Sequence, residues 1–180
     1  MKFIFSKTTI PGLVLVRPEI GRDGRGTFSE RYKLSEFRKA GITDVFVQEN
    51  LSVSRKGVLR GLHFQRAPYA QAKLVRCGQG KIFDVAADLR PGSKTFGKSY
   101  GVELSGENGL LLYIPAGFAH GFYALTGGAE VIYKCSKEYA PSHDAGVRWN
   151  DPDLAVSWPV KKPVLSAKDL ALPLLKDIRF

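Results

Sequence analysis

Short strand-like runs separated by turn residues fill most of this 180-residue chain. The runs are rich in β-branched, aliphatic and aromatic residues and end near Gly, Pro, Asn or Ser, as strands of antiparallel sheets do. Such a density of short strands predicts a single all-β domain over residues 1–180, built as a sandwich or a barrel. Examples of the predicted strands are residues 13–16, 45–53, 58–64, 72–77, 82–89, 110–114 and 131–135.

One segment predicts a helix instead. Ser35 can cap its N-terminus, Phe37 and Ala40 share one face, and Gly41 can end it. The tail from residue 159 onward is less strand-like, and 169–175 predicts one helical turn that Pro173 interrupts. We therefore expect few and short helices.

The chain is strongly basic, with 27 Lys and Arg against 17 Asp and Glu and a net charge of +10. Such a surface attracts polyanions, among them nucleic acids, acidic lipids and phosphorylated metabolites. The basic residues are scattered, however, and form neither an amphipathic basic helix nor an RNA-binding signature. A solvated surface explains most of the charge, and we expect no nucleic-acid partner.

The sequence also predicts neither a membrane span nor a metal–thiol site. Its apolar runs are far shorter than the roughly 18 residues that a membrane span needs, and the start turns polar again at Ser6. We therefore expect a cytoplasmic protein without a membrane partner. Cys77 and Cys135 form no Cys-x-x-Cys motif, so reduced core thiols are favoured over a zinc site or redox pair.

The run 82–89 alternates between two faces. Phe83, Val85, Ala87 and Leu89 share one face, and the other carries two acids, Asp84 and Asp88. Because a lone buried carboxylate is costly, these acids must meet water, a cavity or a cation. A solvent-facing side is slightly favoured, and the alternative is that both acids line a barrel that holds a ligand.

Three histidines, His63, His120 and His143, can titrate near neutral pH. His120 ends a Pro-x-Gly-x-x-His pattern at 115–120, which resembles the second motif of the cupin superfamily. In metal-binding cupins the first motif supplies His-x-His and then Glu, but here Gln65 stands where the second histidine would be. A metal needs three or four convergent ligands. The pattern therefore favours a cupin frame without a metal.

Five segments in register make a family resemblance specific. They are VLRGLHFQ at 58–65, QAKLVR at 71–76, PAGFAHGF at 115–122, WNDP at 149–152 and LSAKD at 165–169. They resemble the signature of dTDP-4-dehydrorhamnose 3,5-epimerases, in that family's order and over nearly the whole chain. The resemblance implies a cupin-type jelly roll of two packed antiparallel sheets. It also implies a homodimer that acts on dTDP-4-keto-6-deoxy-D-glucose without a cofactor.

The chemistry of that substrate fits the groups present. A C4 ketone acidifies the hydrogens at C3 and C5, so inversion needs a base, an acid on the other face, and a donor at the enolate oxygen. By resemblance, His63 is the base, Asp169 orients it, Tyr133 is the acid and Lys73 is the cation near the C4 oxygen. Judged without the resemblance, Lys73 could be an exposed strand lysine and Tyr133 a core tyrosine.

The resemblance implies a further set of substrate-binding positions. Tyr139 could stack on the thymine or pack on the core, and Asp144 stands where the family often has the longer Glu. The Arg side chains suit a diphosphate, because a guanidinium can donate two parallel hydrogen bonds. The implied binding residues are Arg25, Glu30, Gln48, Asn50, Arg60, His120, Tyr139, Asp144 and Lys168.

Arg60 and His63 pose a geometric problem, because simple alternation places them on opposite faces of one strand. Both can reach one substrate only if the strand is irregular, and Gly61 permits a bulge or a twist there. The sequence therefore predicts an irregular strand between 59 and 65.

Several functions remain open at this point. Double inversion at C3 and C5, in dTDP-rhamnose biosynthesis, is favoured, and an enzyme that inverts only C3 or only C5 is the alternative. A metal cupin such as a dioxygenase, with iron at His63 and His120, and a non-enzymatic polyanion- or sugar-binding module are rivals from other classes. In the implied homodimer the segment before residue 30 would cross over, so Arg25 and Glu30 would complete the partner's site.

Overall fold

A computed structural model describes residues 1–179, and most of its regular structure is β-strand. The helices are α1 (Leu34–Lys39) and α2 (Ala167–Leu170), with 3-10 turns at Pro141–His143 and Leu175–Asp177. The strands are β1 (Phe3–Lys7), β2 (Val14–Pro18), β3 (Gly21–Asp23), β4 (Gly26–Phe28), β5 (Gln48–Ser54), β6 (Leu59–Gln65), β7 (Lys73–Gln79), β8 (Lys81–Asp88), β9 (Ser99–Ser105), β10 (Leu111–Ile114), β11 (Phe118–Ala124), β12 (Ala129–Cys135) and β13 (Asp144–Gly146).

Two antiparallel sheets carry the fold. The larger has the order β1-β2-β10-β7-β12-β5, and the smaller has the order β13-β6-β11-β8-β9. Strands distant in sequence lie side by side, as β2 does with β10 and β6 with β11, which is typical of a jelly roll. The predicted all-β jelly roll with few short helices is confirmed. Among residues 1–179, no helix has the length and apolar character to cross a membrane.

The main core fills the space between the sheets. Val75 and Val131 of the larger sheet pack in one cluster with Ile82, Ala86 and Phe122 of the smaller. Full burial of one such large aliphatic or aromatic side chain contributes roughly 1.5–3 kcal/mol. The sheets are therefore held face to face by side chains at alternate strand positions.

A second cluster covers the outer face of the smaller sheet. Leu62 and Val85 pack there against Val147, Leu154 and Leu175, which follow the last strands in the sequence. The C-terminal segment therefore lies across this sheet and not in solvent.

Burial on both faces of β8 overturns one expectation. Asp84 and Asp88 were expected to face solvent, but both have 0% exposure. The C-terminal segment covers the other face, so neither side of this strand is open. Asp88 is stabilised at the end of β8 by hydrogen bonds from Arg90, Ser93 and Thr95.

The helix boundaries also differ from those predicted. Lys33, and not Ser35, occupies the N-cap of α1, whereas Gly41 follows the helix with φ +85° as expected. The edge-on packing of Phe37 against Phe3 and Phe5 fixes this helix, which explains why its cap residue is not a typical one. The second predicted turn begins earlier than expected, with Ser166 as the cap of α2.

Six strands are not among the examples named from the sequence: β1, β3, β4, β9, β11 and β13. In β11, Gly121 and His120 interrupt the apolar pattern, although most of the strand is buried. Its flanking strands β6 and β8 provide the backbone partners that hold it extended. Pairing across the sheet thus overrides a weak local preference.

The predicted irregularity in β6 is confirmed. His63 pairs with His120 and Arg60 pairs with Phe122, so three steps along β6 match two steps along β11. Gly61, at φ +117°, lies within this shift. The extra residue turns Arg60 and His63 toward the same cavity.

Gly61 should therefore tolerate no side chain. A Cβ there would lie 2.6 Å from the Gly121 Cα and 2.8 Å from the His120 carbonyl oxygen. We expect Gly61→Ala to lower the free energy of unfolding by about 1–3 kcal/mol or more in urea denaturation. Gly26→Ala is the matched control, because Gly26 also has positive φ (+127°) but its Cβ would meet open space among the described residues. Equal losses in the two variants would contradict the packing argument.

Candidate active site

A cleft between the sheets gathers most of the polar residues singled out in the sequence. It consists of two adjoining cavities of about 300 and 260 Å³ that share His63, Lys73, Tyr133 and Lys168. We refer to the two together as the inter-sheet cleft. Strands β5, β7 and β12 form one wall, and β6, β11 and α2 form the other.

His63 projects from the bulged strand β6 and is bound by a carboxylate from the tail. Its Nε2 lies 2.6 Å from Oδ1 of Asp169. The His63 side chain is 30% exposed, whereas that of Asp169 is 5% exposed. The histidine thus faces the cleft while its partner is shielded behind it.

The start of α2 holds Asp169 in place. Ser166 caps this helix by accepting a hydrogen bond from the Asp169 backbone N–H at 3.1 Å, and its hydroxyl donates to Oδ2 of Asp169 at 2.7 Å. The Gly61 backbone N–H lies 3.4 Å from Oδ1. Both carboxylate oxygens are therefore fixed, which fixes the ring of His63 in turn.

The same contacts set the charge of Asp169. Burial acts to raise the pKa of this carboxyl, but the hydrogen bonds from His63 and Ser166 and the charge of His63 outweigh it. The pKa of Asp169 is consequently lower than that of an ordinary aspartate. Asp169 is an ionised hydrogen-bond acceptor at neutral pH.

Lys73 and Tyr133 face the cleft from the wall opposite His63. Both are half-buried, and the Lys73 ammonium lies 5.8 Å from the centre of the Tyr133 ring. Burial lowers the pKa of Lys73 and raises the pKa of Tyr133, since each environment disfavours the charged form. Neither is the surface lysine or the core tyrosine that the residue types alone would favour.

A second histidine–carboxylate pair lies deeper in the cleft. Nε2 of His120 is 2.8 Å from Oδ1 of Asp84, and the two side chains are 7% and 0% exposed. The rings of His120 and Tyr133 have their centres 6.4 Å apart. His120 therefore lies beside both His63, its cross-strand neighbour, and Tyr133.

The outer part of the cleft holds a polar network. The Tyr139 hydroxyl donates to Asp144 at 3.0 Å, and the Lys168 ammonium donates to the same carboxylate oxygen. Gln48 accepts a hydrogen bond from the Tyr139 backbone N–H at 2.8 Å, and its side-chain amide donates to Asn50 at 3.0 Å. The Tyr139 ring is 54% exposed, so the alternative that it packs on the core is wrong.

Arg60 completes the inner end of the cleft, where its Nε donates to the Ser54 hydroxyl at 3.2 Å. Two of the implied binding residues lie elsewhere. Arg25 belongs to the β3–β4 hairpin, is 91% exposed and pairs with Asp23, while Glu30 lies 3.6 Å from the Met1 amino group. Among residues 1–179, the single chain does not bring Arg25 or Glu30 to the cleft.

Two polar residues that line the cleft, Ser52 and Ser166, had been given no role from the sequence, and Asp84, which binds His120, had been given no partner. The spacing of Ser166 and Asp169 resembles a capping box, which is a sequence signal for a helix start. Ser52 continues the alternation of Gln48 and Asn50 along β5, so the period of two could have placed it at the same wall. Asp84 had no such signal, because its neighbours alternate like those of a solvent-facing strand.

The residue that replaces the second histidine of the cupin motif makes hydrogen bonds to the backbone. Gln65, at the place of the second motif histidine, donates to the backbone carbonyls of Tyr69 and Glu138 at 2.8 and 3.2 Å. Within residues 1–179, no group of three or more His, Cys, Asp or Glu side chains is arranged to hold a metal ion. Absence of a metal from the reaction stays a prediction.

A jelly roll with a carboxylate-bound histidine on one wall, and a phenol and an ammonium on the other, defines the class of cupin-fold enzymes that work by acid–base chemistry. The family model of dTDP-4-dehydrorhamnose 3,5-epimerase matches residues 7–177. The chain therefore belongs to the dTDP-4-dehydrorhamnose 3,5-epimerase family, as the sequence motifs predicted.

Known proteins resemble the chain over almost its full length. A dTDP-4-dehydrorhamnose 3,5-epimerase of Salmonella typhimurium is 49% identical over 174 residues, covering 96% of this chain and 95% of that protein. The crystal structure of such an epimerase from Elizabethkingia anophelis superposes with a TM-score of 0.95 at 44% identity, covering 99% of both chains. A Legionella pneumophila 3,5-epimerase in complex with dTDP-4-keto-L-rhamnose gives a TM-score of 0.95 at 46% identity, covering 99% of this chain and 95% of that one.

The Asp169 contacts predict how stability depends on pH. Because the pKa of Asp169 is lowered by folding, its ionised form adds stability above the ordinary aspartate pKa, and this stability is lost as pH falls through the folded value. We expect Asp169→Asn to lower the free energy of unfolding at pH 7 by about 1.5–3 kcal/mol. The difference should shrink below about pH 4.

Urea denaturation from pH 7 to pH 3 measures this difference, with Asp153→Asn as the control because Asp153 is exposed. The control should stay within about 0.5 kcal/mol of the unmodified protein. A loss in Asp169→Asn that is the same at every pH would show that the charge of Asp169 adds no stability.

Proposed function

We propose that this chain epimerises dTDP-4-keto-6-deoxy-D-glucose at C3 and C5 to give dTDP-4-keto-L-rhamnose, through enolate intermediates and without a cofactor. The observation that carries the proposal is the position of His63–Asp169 on one wall of the cleft and Tyr133 on the other. Family membership makes the chain an isomerase of dTDP-rhamnose biosynthesis. The proposal places the reaction in the cytoplasm.

His63 is the base in this proposal. Its Nε2–H donates to the ionised Asp169, so Nδ1 keeps a lone pair that can take the proton from C5 or C3. Asp169 then stabilises the imidazolium that forms, as the carboxylate of a catalytic triad does. A fixed ring orientation lets this proton transfer occur without rearrangement of the site.

Lys73 stabilises the enolate. Loss of a proton beside the C4 ketone moves negative charge onto the C4 oxygen, and an ammonium fixed in a half-buried cleft attracts that charge more strongly than it would in water. Burial lowers the pKa of Lys73, which makes its ammonium a better proton donor to the enolate oxygen than an ordinary lysine.

Tyr133 is the acid that protonates the opposite face. Burial raises the pKa of its phenol, so the proton is retained until a carbanion-like carbon takes it. Because Tyr133 belongs to the wall opposite His63, removal and return of a proton occur on different faces. This geometry inverts the carbon instead of restoring it.

The remaining cleft residues suit the nucleotide. The Arg60 guanidinium and the Lys168 ammonium can bind the diphosphate, and the exposed ring of Tyr139 can stack on thymine. Asp144, which Lys168 and Tyr139 already engage, positions these two groups and needs no longer side chain to do so. The net charge of +10 attracts an anionic substrate of this kind.

Solvent deuterium tests the reaction. In heavy water the product of the unmodified protein should carry deuterium at both C3 and C5, as read by NMR. His63→Asn and Tyr133→Phe should each lower the rate of labelling by roughly 10²-fold or more, since each removes a positioned acid or base. His143→Asn is the matched control, because this histidine contacts Tyr69 and Ser142 and does not line the cleft in the described chain.

Label at one carbon alone would identify a single-site epimerase instead. Stoichiometric iron together with loss of activity on chelation would favour a metal cupin. Unchanged ligand affinity and biological activity in His63→Ala would favour a non-enzymatic binding module.

The proposal includes a homodimer. Leu51 and Val53 alternate with the cleft residues of β5 and are 61% and 58% exposed, and Phe28 in the β3–β4 hairpin is 70% exposed. β5 is also an edge strand of the larger sheet, with backbone groups available for pairing. A second copy against this region would bury the apolar side chains and bring Arg25 and Glu30 to the neighbouring cleft.

Complementation between two inactive variants tests the shared site. We expect a solution mass of about twice 19.8 kDa, and a loss of activity in Arg25→Ala and in His63→Asn measured separately. Mixed dimers of the two variants should regain activity, because one of their two sites has its own His63 and the partner's Arg25 intact. A 19.8 kDa species alone, or mixed dimers without activity, would contradict the exchange.

A further inference from the structure

Packing alone does not explain why the Asp84 carboxylate is buried. It projects from β8 into the core cluster that includes Ile82, Ala86 and Phe122, and it has 0% exposure. Its Oδ1 bonds to Nε2 of His120, while Oδ2 has no hydrogen-bond partner within residues 1–179. Because an apolar residue would fill this position at less cost, the bond to His120 is the feature that accounts for the carboxylate.

His120 resembles His63 in its geometry. The two are paired residues on β11 and β6, and the Nε2 of each binds a buried carboxylate. In the described chain, Nδ1 of His120 has no protein partner, as is also true of His63. The cleft thus contains two histidines, each with one nitrogen fixed and the other free to exchange a proton.

The titratable and charged groups around His120 indicate which of them it can exchange a proton with. Titratable and charged groups reach this part of the cleft from each neighbouring element: His63 and Arg60 from β6, Asp84 from β8, Tyr133 from β12, Lys73 from β7, and Lys168 and Asp169 from α2. Lys73 is engaged with the enolate and His63 with Asp169. The Tyr133 ring is centred 6.4 Å from that of His120, so the two rings are neighbours in the cleft.

The double inversion creates a need for a second proton. Each inversion leaves His63 protonated and Tyr133 as phenolate, and burial disfavours that phenolate. His63, whose side chain is 30% exposed, has to release its proton before the second inversion. Tyr133 has to regain a proton before it can act as the acid a second time.

We propose that the Asp84–His120 pair is a proton relay that returns a proton to the Tyr133 phenolate between the two inversions. This inference rests on the proposed function. The Nδ1–H bond of a protonated His120 breaks as an O–H bond forms on the Tyr133 phenolate, leaving a neutral imidazole whose Nε2–H still donates to Asp84. The two protons that the substrate receives are then those stored on Tyr133 and on His120, and water restores both after product release.

In this relay Asp84 is a positioning residue. Its carboxylate turns Nδ1 of His120 toward the cleft and stabilises the imidazolium that stores the proton. Loss of the relay should slow the second inversion and leave the first one nearly unchanged. The pair would thus favour double over single epimerisation.

A single-turnover experiment separates the two inversions. Excess enzyme is mixed with dTDP-4-keto-6-deoxy-D-glucose in heavy water, the reaction is quenched at intervals, and sugars with one and two deuterium atoms are quantified by mass spectrometry and NMR. In Asp84→Asn we expect the first inversion within about threefold of the unmodified protein and the second slowed at least tenfold, so that singly labelled sugar accumulates. The ratio of the two rates is internal to each protein, so a general loss of folded enzyme does not alter it.

Two further variants keep the test independent of folding. His120→Gln retains an amide that can donate to Asp84 but carries no transferable proton, so it should show the same accumulation. Asp88→Asn removes the other buried carboxylate on the same face of β8, whose partners are Arg90, Ser93 and Thr95, and should leave the ratio of the two rates unchanged.

The outcomes distinguish the relay from the reaction itself. Double labelling by the unmodified protein, with the same ratio of rates in Asp84→Asn and His120→Gln, would overturn the relay alone. Label at one carbon in the unmodified protein would overturn the proposed double inversion and the relay together, since one inversion needs no return of a proton to Tyr133.

Discussion

The hydrogen bond between His63 and Asp169 is the contact on which the rest of the site depends. It joins two residues 106 positions apart, one on the bulged strand β6 and one in the C-terminal helix α2. Each end is fixed by its own local structure, the Gly61 bulge at one side and the Ser166 cap at the other. Packing of the C-terminal segment on the smaller sheet keeps both ends together.

The jelly roll places acid and base on opposite walls. A protein that inverts a carbon has to reach both faces of a planar enolate, and two packed sheets offer two facing sets of side chains. His63 lies on the smaller sheet and Tyr133 on the larger, with Lys73 beside the phenol. The separation of roles therefore follows from the architecture and not from a special loop.

Local patterns predicted much of the β-sheet framework, but they gave the wrong environment for a strand that is buried on both faces. The alternation in β8 indicated a solvent-facing side for Asp84 and Asp88, yet the C-terminal segment covers the other face and both acids lie inside. A strand's pattern reports which residues share a face, and it does not report what covers that face. The predicted N-cap of α1 was also wrong. Packing of distant aromatic residues on Phe37 fixes that helix, and the local sequence does not show this packing.

The sequence by itself determined the fold class, the family and the residue types of the site, because strand propensities, turn residues and five ordered motifs are local and survive without coordinates. The tertiary structure alone decided that Asp84 is buried against His120, that the C-terminal segment covers the smaller sheet, and that Ser166 fixes the carboxylate of Asp169. It also decided that Arg25 lies away from the cleft of its own chain, in the part of the protein described. The physical reason is that burial and long-range hydrogen bonds depend on which distant segments pack together. The alternation of apolar and polar residues along one strand does not show which segments those are.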